Sequence, residues 1–194
     1  MAGRPLPRGP VPRYRPAMRD ETVTITRAGP DRAEAVLALL VECGREMSAR
    51  GLRNWDPPPA SAESIRAEAV DHVVLVALTG AGDLVGTVTL RGIATHEYEP
   101  DVRAERVRWG ATSGGPARYM NRLAVHPAWQ RTGLGARLLA AAESEARDAG
   151  AAALRFDVLE ANPALIRWYE RRGCERRGRR RHGGKDFVVM EKRL

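Results

Sequence analysis

Short apolar and β-branched segments, each bounded by turn residues, alternate along the chain with stretches of helical periodicity. The segments 22–26, 73–78, 84–90, 119–125 and 153–159 predict strands. Ala81-Gly82-Asp83 lies between the second and third of them, which predicts a hairpin. At the C-terminal end, 174–176 and 186–190 predict two more strands, joined by a turn over 177–185.

Apolar residues at helical spacing predict four helices. They run through Ala35 and Leu40 to about Cys43 with a continuation near Met47, from Ser61 to about Val70, from Leu134 to about Asp148, and from Asn162 through Tyr169. The order is strand, two helices, three strands, helix, strand, helix and two strands. This order predicts an α+β fold with a single mixed sheet.

Two segments do not fit this pattern. Residues 1–20 combine prolines with arginines and cannot bury a core, so we expect a disordered tail followed by one domain over 21–194. Residues 92–118 are polar, with glycine and proline and little periodicity. Loops of this length in a compact domain are usually functional or disordered.

The net charge of +8 and the pI of about 10.4 favour anionic partners. Lysine occurs only at Lys185 and Lys192, and the excess of arginine, alanine, glycine and proline is typical of a GC-rich genome. Charge alone therefore gives little support to specific nucleic-acid binding. The densest basic run, Arg171 to Arg181, contains no aromatic residue for base stacking and predicts a solvated hairpin or a site that attracts an anion.

Cysteine and histidine usage predicts neither disulfides nor a metal site. Cys43 and Cys174 form no disulfide framework and suit a reducing compartment, and the four histidines lack metal-ligand spacing. No apolar run is long enough to span a membrane, and no apolar segment follows the basic N-terminus as in a secretory signal. We therefore expect a cytoplasmic protein without a membrane segment.

The segment from Asn121 to Leu139 joins a strand to a helix through a glycine-containing turn. Pro127 ends strand pairing because it has no N–H, and the helix begins near Leu134. Gly133 and Gly135 leave the backbone N–H groups uncovered at the helix N-terminus, where the helix dipole favours an anion. The turn therefore predicts a phosphate site, and a turn without ligand is the alternative.

The spacing of this turn separates three kinds of phosphate loop. A nucleoside-triphosphate loop needs Gly-Lys followed by Ser or Thr, and the segment contains no lysine. A dinucleotide fingerprint needs a glycine or alanine where Leu138 stands. The observed Gln130-x-x-Gly133-x-Gly135 after a strand resembles the coenzyme A pyrophosphate loop of the GCN5-related N-acetyltransferases (GNAT).

The resemblance extends from about Thr22 to Leu194 and implies the fold of that family. That fold is a single mixed, mostly antiparallel sheet flanked by helices on both faces. It also implies acetyl-coenzyme A as co-substrate, with no metal. The residues that it assigns to the coenzyme are Leu123, Ala124 and Val125 for the pantetheine arm, and Gln130, Arg131, Thr132, Gly133, Leu134, Gly135 and Ala136 for the pyrophosphate. Arg137 is either a further phosphate contact or an exposed helix residue.

Asn162 to Gly173 resembles a second family signature, an asparagine followed by a tyrosine and then a glycine. The resemblance places Asn162 against the pantetheine, although capping its helix would also explain the residue. It makes Tyr169 both a coenzyme contact and the general acid for the leaving thiolate. The alternative for Tyr169 is packing in the core. Cys174 stands where many relatives have an aromatic residue.

The general base is less clear. Asn121 cannot serve as one, but with Asp157 it is expected to face the cleft between two diverging strands and to contact the substrate. Asp157 is the candidate base, with an anchor for a cationic amine and an ion pair with arginine as alternatives. Glu97 and Glu99 are weaker candidates. Trp55, in a loop with Arg53 and Asp56, either shapes the acceptor pocket or packs.

The sequence therefore predicts an acetyl-coenzyme A-dependent N-acetyltransferase that moves the acetyl group directly to a primary amine on a small molecule or peptide. No cysteine lies in either signature, so a covalent acetyl-enzyme is not expected. Two alternatives keep the fold, namely an inactive coenzyme A-binding regulatory module and a basic RNA- or ribosome-associated protein. A homodimer is common among relatives.

Overall fold

The computed structural model describes residues 22–55, 57–92, 101, 106–109 and 116–194. The expected tail over 1–20 lies outside the described residues, and so do Asp56, Glu97 and Glu99. Most of the loop predicted over 92–118 lies outside them as well.

The predicted order of elements is confirmed. The strands are β1 (Val23–Arg27), β2 (Val73–Thr79), β3 (Leu84–Arg91), β4 (Ala117–Val125), β5 (Ala153–Leu159), β6 (Glu175–His182) and β7 (Lys185–Arg193). The helices are α1 (Ala33–Ala49), α2 (Ala62–Asp71), α3 (Leu134–Asp148) and α4 (Pro163–Glu170), with 3₁₀ turns at Pro30–Arg32 and Pro127–Trp129. α1 runs without a break through Cys43 to Ala49 and so includes the continuation predicted near Met47.

The last hairpin is longer than the sequence predicted. The turn between β6 and β7 consists of Gly183 and Gly184 alone, both with positive φ (55° and 74°), as a tight hairpin turn requires. The prediction of a turn over 177–185 was wrong because the basic run has no apolar alternation to mark a strand. The strand instead pairs with β7 along its length, and acidic residues lie beside its arginines, such as Glu170 beside Arg176 and Glu160 beside Arg179.

Within the described residues, seven strands form one sheet in the order β1-β2-β3-β4-β5-β7-β6. Every neighbouring pair is antiparallel except β4 and β5, which are parallel. The sheet is therefore mixed and mostly antiparallel, as expected.

The parallel pair β4–β5 is incomplete. It is in register at Ala117↔Ala153, Arg118↔Leu154 and Tyr119↔Arg155, and the pairing ends there. Beyond this point β4 continues to Val125 beside β3, and β5 continues to Leu159 beside β7. The two central strands therefore separate, and each leaves one backbone edge without a strand partner. We call this separation the β4–β5 gap.

A bulge lies in β4 where it borders the gap. Thr89 pairs with Asn121 and Thr87 with Ala124, so β4 contains one residue more than β3 between these two pairs. Arg122, at the bulge, has a φ of 53°, which an L residue with a side chain rarely adopts. The bulge places Arg122 beside α2, where it pairs with Glu68.

Helices cover both faces of the sheet. α3 and α4 bury one face, where Leu138, Leu154 and Phe156 belong to the largest apolar cluster. α1 and α2 bury the other, where Leu40 and Ile65 pack with Val76 and Ala124. Since apolar burial contributes most of the stability of such a layered domain, both helical layers fix the directions of β4 and β5 at the gap.

A buried charge network holds the β5–β7–β6 side of the sheet. Glu191 on β7 is 1% exposed. Its two carboxylate oxygens accept hydrogen bonds from Arg155 Nε and Arg177 Nε, each at 2.9 Å. Across the strand pair, Glu175 also reaches Arg177 but is largely exposed.

We expect Glu191→Gln to lower the free energy of unfolding by about 3 kcal/mol, because removing one charge from a buried cluster leaves its partners uncompensated. Glu175→Gln, the matched control on the same arginine, should change it by less than about 1 kcal/mol, since its pair is solvent-screened. Urea denaturation of both variants measures the difference. Equal, small effects would show that Glu191 does not hold this side of the sheet.

Candidate active site

A cavity of about 850 Å³ lies at the β4–β5 gap. Its walls come from β4, β5, α4, the N-terminus of α3, the loop after α1 and the β6–β7 hairpin. The site residues predicted from the sequence that line it are Trp55, Asn121, Leu123, Ala124, Val125, Gln130, Arg131, Gly133, Gly135, Ala136, Asp157, Asn162 and Tyr169. One cavity therefore brings together two signatures that are far apart in the chain.

The turn between β4 and α3 has the geometry of an anion site. Arg131 and Gly133 both have positive φ, 66° and 90°, on either side of Thr132. The N–H groups of Leu134 and Gly135 lie in the first turn of α3, where a helix offers them no acceptor. The helix dipole adds to the attraction for an anion at this point. We call residues 130–135 the glycine turn.

Side chains within the turn tie it to the strand. The Thr132 hydroxyl donates to the Trp129 carbonyl at 2.7 Å, and Gln130 Nε2 donates to the Val125 carbonyl at 3.3 Å. Thr132 and Leu134 do not line the cavity; the Leu134 side chain is buried in the core. For these two residues the side chain stabilises the turn, and only the backbone is available to a ligand.

The structure changes two expectations about residues of α3, those for Ala136 and Arg137. The N–H of Ala136 donates to the Gly133 carbonyl at 3.0 Å, so it belongs to the helix rather than to the set of open N–H groups. The Arg137 guanidinium donates to the Val23 carbonyl of β1 at 2.6 Å and does not line the cavity. Arg137 is therefore neither a cavity residue nor simply solvated, and it fastens the helix to the first strand.

His126, which the sequence did not single out, anchors the start of the turn. Its Nδ1 accepts the N–H of Ala128 at 3.2 Å, so the ring proton sits on Nε2, which lies 2.8 Å from Glu42 Oε2. The buried imidazole thus links the end of β4 to α1. Its signal in the sequence was its position directly before Pro127.

α4 holds Asn162 and Tyr169 at the cavity. The Asn162 side chain accepts the N–H of Leu165 at 3.2 Å, which confirms the predicted cap, and Asn162 also lines the cavity. Tyr169 packs its ring against Phe156 and Trp168, with centroids 4.5 and 4.8 Å apart. Tyr169 therefore packs in the core, as the alternative expected, and also lines the cavity, while its role toward the coenzyme stays a prediction.

Burial raises the pKa of Tyr169 above the ordinary phenol value, with a smaller contribution from Cys174. The phenol therefore stays protonated throughout the neutral range, so its O–H group is available there as a hydrogen-bond donor. A phenol held in this way can donate a hydrogen bond to an anion that forms beside it.

Cys43 on α1 also lines the cavity, which the sequence did not indicate. Its thiol donates to the Val125 carbonyl at 3.4 Å. Burial, followed by the charges of Glu42 and Glu46, raises its pKa to about 12. Since the thiolate is the nucleophile, this thiol is a poor one, and the structure gives no support to a covalent intermediate on Cys43.

Asp157 lies on β5 at the edge of the gap and is the one carboxylate among the described residues that line the cavity. Its Oδ2 accepts a hydrogen bond from Arg180 Nη1 at 3.2 Å. The alternative of an ion pair with arginine is thus observed. Arg180, only 6% exposed, also approaches Asp101 at 3.7 Å.

The remaining wall of the cavity contains cations that the sequence did not assign to a site. Arg91 and Arg122 both pair with Glu68 of α2. Lys185, at the start of β7, donates to the Asn54 carbonyl at 3.2 Å and so joins the last hairpin to the loop that contains Trp55. The β4 bulge brings Arg122 to this wall, and the β6–β7 turn brings Lys185 to it. Sequence periodicity reveals neither feature.

The basic run from Arg171 to Arg181 is mostly paired rather than open. Arg172 stacks over the Trp168 ring at 3.9 Å, Arg177 contacts Glu191, and Arg181 lies 3.4 Å from Asp186. This basic run therefore does not present an open row of cations suited to a phosphate backbone.

Among the residues that the structure describes, no group of histidine, cysteine, aspartate or glutamate is arranged to hold a metal ion. In the same part of the chain, no helix is both long and apolar enough to cross a bilayer.

Comparison with known proteins agrees with this geometry. The sequence model of the acetyltransferase (GNAT) family matches residues 35–174. The comparison with curated protein sequences finds no match.

Solved structures share the fold. A GNAT-family acetyltransferase from Listeria monocytogenes is 21% identical, with 89% of this chain and 95% of that chain covered and a TM-score of 0.68. The PaiA N-acetyltransferase from Thermoplasma acidophilum in complex with coenzyme A is 19% identical, with 89% and 99% covered and a TM-score of 0.66. The ribosomal-protein-S18-alanine N-acetyltransferase from Escherichia coli is 18% identical, with 89% and 94% covered and a TM-score of 0.65.

The family match covers both signatures and most of the strands that form the cavity. This chain is an acetyltransferase and belongs to the GNAT family.

Proposed function

We propose that the protein transfers the acetyl group of acetyl-coenzyme A directly to a primary amine. The observation that carries the proposal is the β4–β5 gap, which runs from the end of strand pairing at Tyr119 to the glycine turn at Gly133. A long, thin ligand with amide groups at one end and phosphates at the other suits such a groove. Coenzyme A has this chemistry.

The pantetheine arm lies along β4 in this proposal. Leu123, Ala124 and Val125 border the gap and line the cavity, with β3 on their other side. A strand edge without a strand partner can satisfy its N–H and C=O groups with the amides of an extended ligand, as in β-strand addition. The Asn162 amide would contact the same arm from α4.

The glycine turn is assigned to the pyrophosphate. Backbone N–H groups and the dipole of α3 supply the attraction, and the exposed Arg131 guanidinium at the cavity wall can add a charge-assisted hydrogen bond. Gly133 matters for its backbone conformation, because its φ of 90° strains any other residue.

Tyr169 is assigned to the departing sulfur. As the amine nitrogen forms its bond to the acetyl carbon, the carbon–sulfur bond breaks and negative charge grows on sulfur. An ordinary thiol has a pKa of about 8.5, below that of a phenol, so full proton transfer from Tyr169 would be uphill. The residue therefore stabilises the thiolate as a hydrogen-bond donor.

Protons balance as follows. An ammonium must lose one proton before it attacks and a second as the amide forms, while the thiolate takes one up. We assign the first transfer to Asp157, because it is the only carboxylate among the described lining residues. Its contact with Arg180 holds the carboxylate at the gap.

Neither alternative on the same fold is favoured. A catalytically inactive coenzyme A-binding module would not need a buried, protonated tyrosine at the cavity. An RNA- or ribosome-associated role would need open cations, whereas the basic run is largely ion-paired. Both cysteines are buried free thiols, which fits the proposed cytoplasmic location.

Gly133→Ala should weaken acetyl-coenzyme A binding about tenfold or more, because the strained turn misdirects N–H groups that bind a charged oxygen. Gly150→Ala is the matched control, since Gly150 has a φ of 73° at the other end of α3 and a Cβ there meets nothing. Both variants should lose about 1 kcal/mol of stability, but calorimetric titration should show weaker binding for Gly133→Ala alone. Equal affinities would contradict the pyrophosphate assignment.

Tyr169→Phe should lower kcat by about a hundredfold or more and leave the Kd for acetyl-coenzyme A nearly unchanged, because the lost hydrogen bond forms only as charge develops on sulfur. Tyr119→Phe removes the hydroxyl of another buried tyrosine, one that does not line the cavity. It should keep most of its turnover. Full activity in Tyr169→Phe would remove the residue from the mechanism.

Asp157→Asn should lower kcat/KM at neutral pH, and the loss should shrink as the pH rises and more of the amine is already unprotonated. The pH–rate profile of the variant against that of the unaltered protein measures this. A variant that is less stable but has an unchanged profile would show that Asp157 only pairs with Arg180.

A further inference from the structure

Positive side chains line the walls of the cavity that the coenzyme assignment does not use. These walls come from the end of α1 and the loop after it, the end of β3, the β4 bulge and the β6–β7 hairpin, and we call them the acceptor walls. Their cations are Arg50, Arg91, Arg122, Arg180 and Lys185. Among the described lining residues, the single carboxylate of Asp157 opposes them.

Acidic neighbours balance part of this charge. Arg50 pairs with Glu46 one turn earlier at 2.5 Å. Arg180 lies between Asp157 at 3.2 Å and Asp101 at 3.7 Å. These two arginines therefore have carboxylate partners of their own within the protein.

Arg122 shares its acidic partner with a second arginine. Glu68 serves both Arg122 and Arg91, and the other hydrogen bond of Arg122 is a long one, 3.4 Å to the Thr89 hydroxyl. The Arg122 side chain is 9% exposed, and this burial lowers its pKa to about 10. A guanidinium that has lost its hydration is stabilised by an anion, and its paired N–H groups match a carboxylate.

Lys185, at the start of β7, offers a second donor to the same cavity. Its ammonium donates to the Asn54 carbonyl, a neutral group, and no carboxylate in the described part of the chain lies within ion-pair distance of it. An ammonium has three donors, so the contact with Asn54 leaves capacity for a ligand. The same contact closes the hairpin over the loop after α1.

This closure favours a small acceptor. The cavity of about 850 Å³ must hold the end of the coenzyme and the acceptor together. The contact of Lys185 with Asn54 joins the β6–β7 hairpin to the loop after α1, two of the elements that line this space. A small molecule fits this space without parting them.

We propose that the acceptor is a small primary amine that carries a carboxylate, of the amino-acid class, and that Arg122 and Lys185 bind this carboxylate. The inference rests on the proposed acetyl transfer and names the substrate class of the same site. Arg122 lies three residues beyond Tyr119, where the β4–β5 pairing ends. A carboxylate bound at Arg122 therefore holds an amine a few bonds away beside the gap. Polyamines and amino-sugars, which bring positive charge alone, meet unfavourable walls.

The test compares matched pairs of acceptors with the full chain and acetyl-coenzyme A, by release of free thiol. Each standard L-amino acid is paired with its carboxamide, which keeps the amine and side chain but loses the negative charge. Putrescine and spermidine represent the polycations. The kcat/KM of each acceptor is measured over a pH range that covers its amine pKa, and the pH-independent values are compared. We expect at least one amino acid to exceed its carboxamide in kcat/KM by about tenfold or more.

Substitutions at Lys185 and Arg122 test whether these two side chains bind the carboxylate of the acceptor. Lys185→Met and Arg122→Gln should each lower kcat/KM for the preferred amino acid about tenfold or more, with little change for its carboxamide or in the Kd for acetyl-coenzyme A. Arg181→Gln is the control, because Arg181 is an exposed hairpin arginine outside the cavity. Lys185 is half-buried, so its variant keeps the test valid if the loss of buried Arg122 unfolds the protein.

The outcomes separate the two levels of the proposal. Failure of acetyl-coenzyme A to bind overturns the proposed function itself. Binding of acetyl-coenzyme A with no amino acid acetylated faster than its carboxamide, or with the polyamines preferred, overturns the acceptor class alone. An equal loss for acid and carboxamide in Lys185→Met would remove Lys185 from carboxylate binding.

Discussion

The incomplete pairing of β4 and β5 is the feature on which the site depends. Three residue pairs join these parallel strands, and beyond Tyr119 the bulge at Arg122 and the separate partners β3 and β7 carry them apart. Strand edges inside a sheet are costly to leave unpaired, and the proposed coenzyme would supply the missing hydrogen bonds at this gap. The glycine turn, Asn162 and Tyr169 all open onto it.

Most arginines of this arginine-rich hairpin side of the sheet form ion pairs with nearby carboxylates. On the β6–β7 hairpin most arginines have carboxylate partners, and the buried Glu191 pairs with Arg177 of β6 and with Arg155 of β5. At the acceptor walls the pairing is incomplete, since Arg122 shares Glu68 and Lys185 contacts a carbonyl. The net charge of the sequence therefore says little about partners, whereas its distribution around the cavity is the basis for the proposed acceptor with a carboxylate.

The sequence predicted the order of elements and the glycine turn, because hydrophobic periodicity and turn residues are local signals, whereas Tyr169 was singled out by the resemblance to the family. It did not predict the roles of Arg122, Lys185 or Cys43. Arg122 reaches the acceptor wall through a bulge, and Lys185 through a two-glycine turn. The sequence did not predict the full length of β6, because this basic strand pairs with β7 but has no apolar alternation. Such long-range pairings leave no periodic pattern.

The central claim is that the β4 edge and the glycine turn hold the coenzyme. Amide hydrogen exchange with and without saturating acetyl-coenzyme A tests it most directly, because the protection of backbone N–H groups reports hydrogen bonds that a ligand supplies. The account predicts added protection in the peptides covering 120–126 and 130–136, with little change in β1 and β2. Unchanged exchange in both peptides under saturation would contradict it.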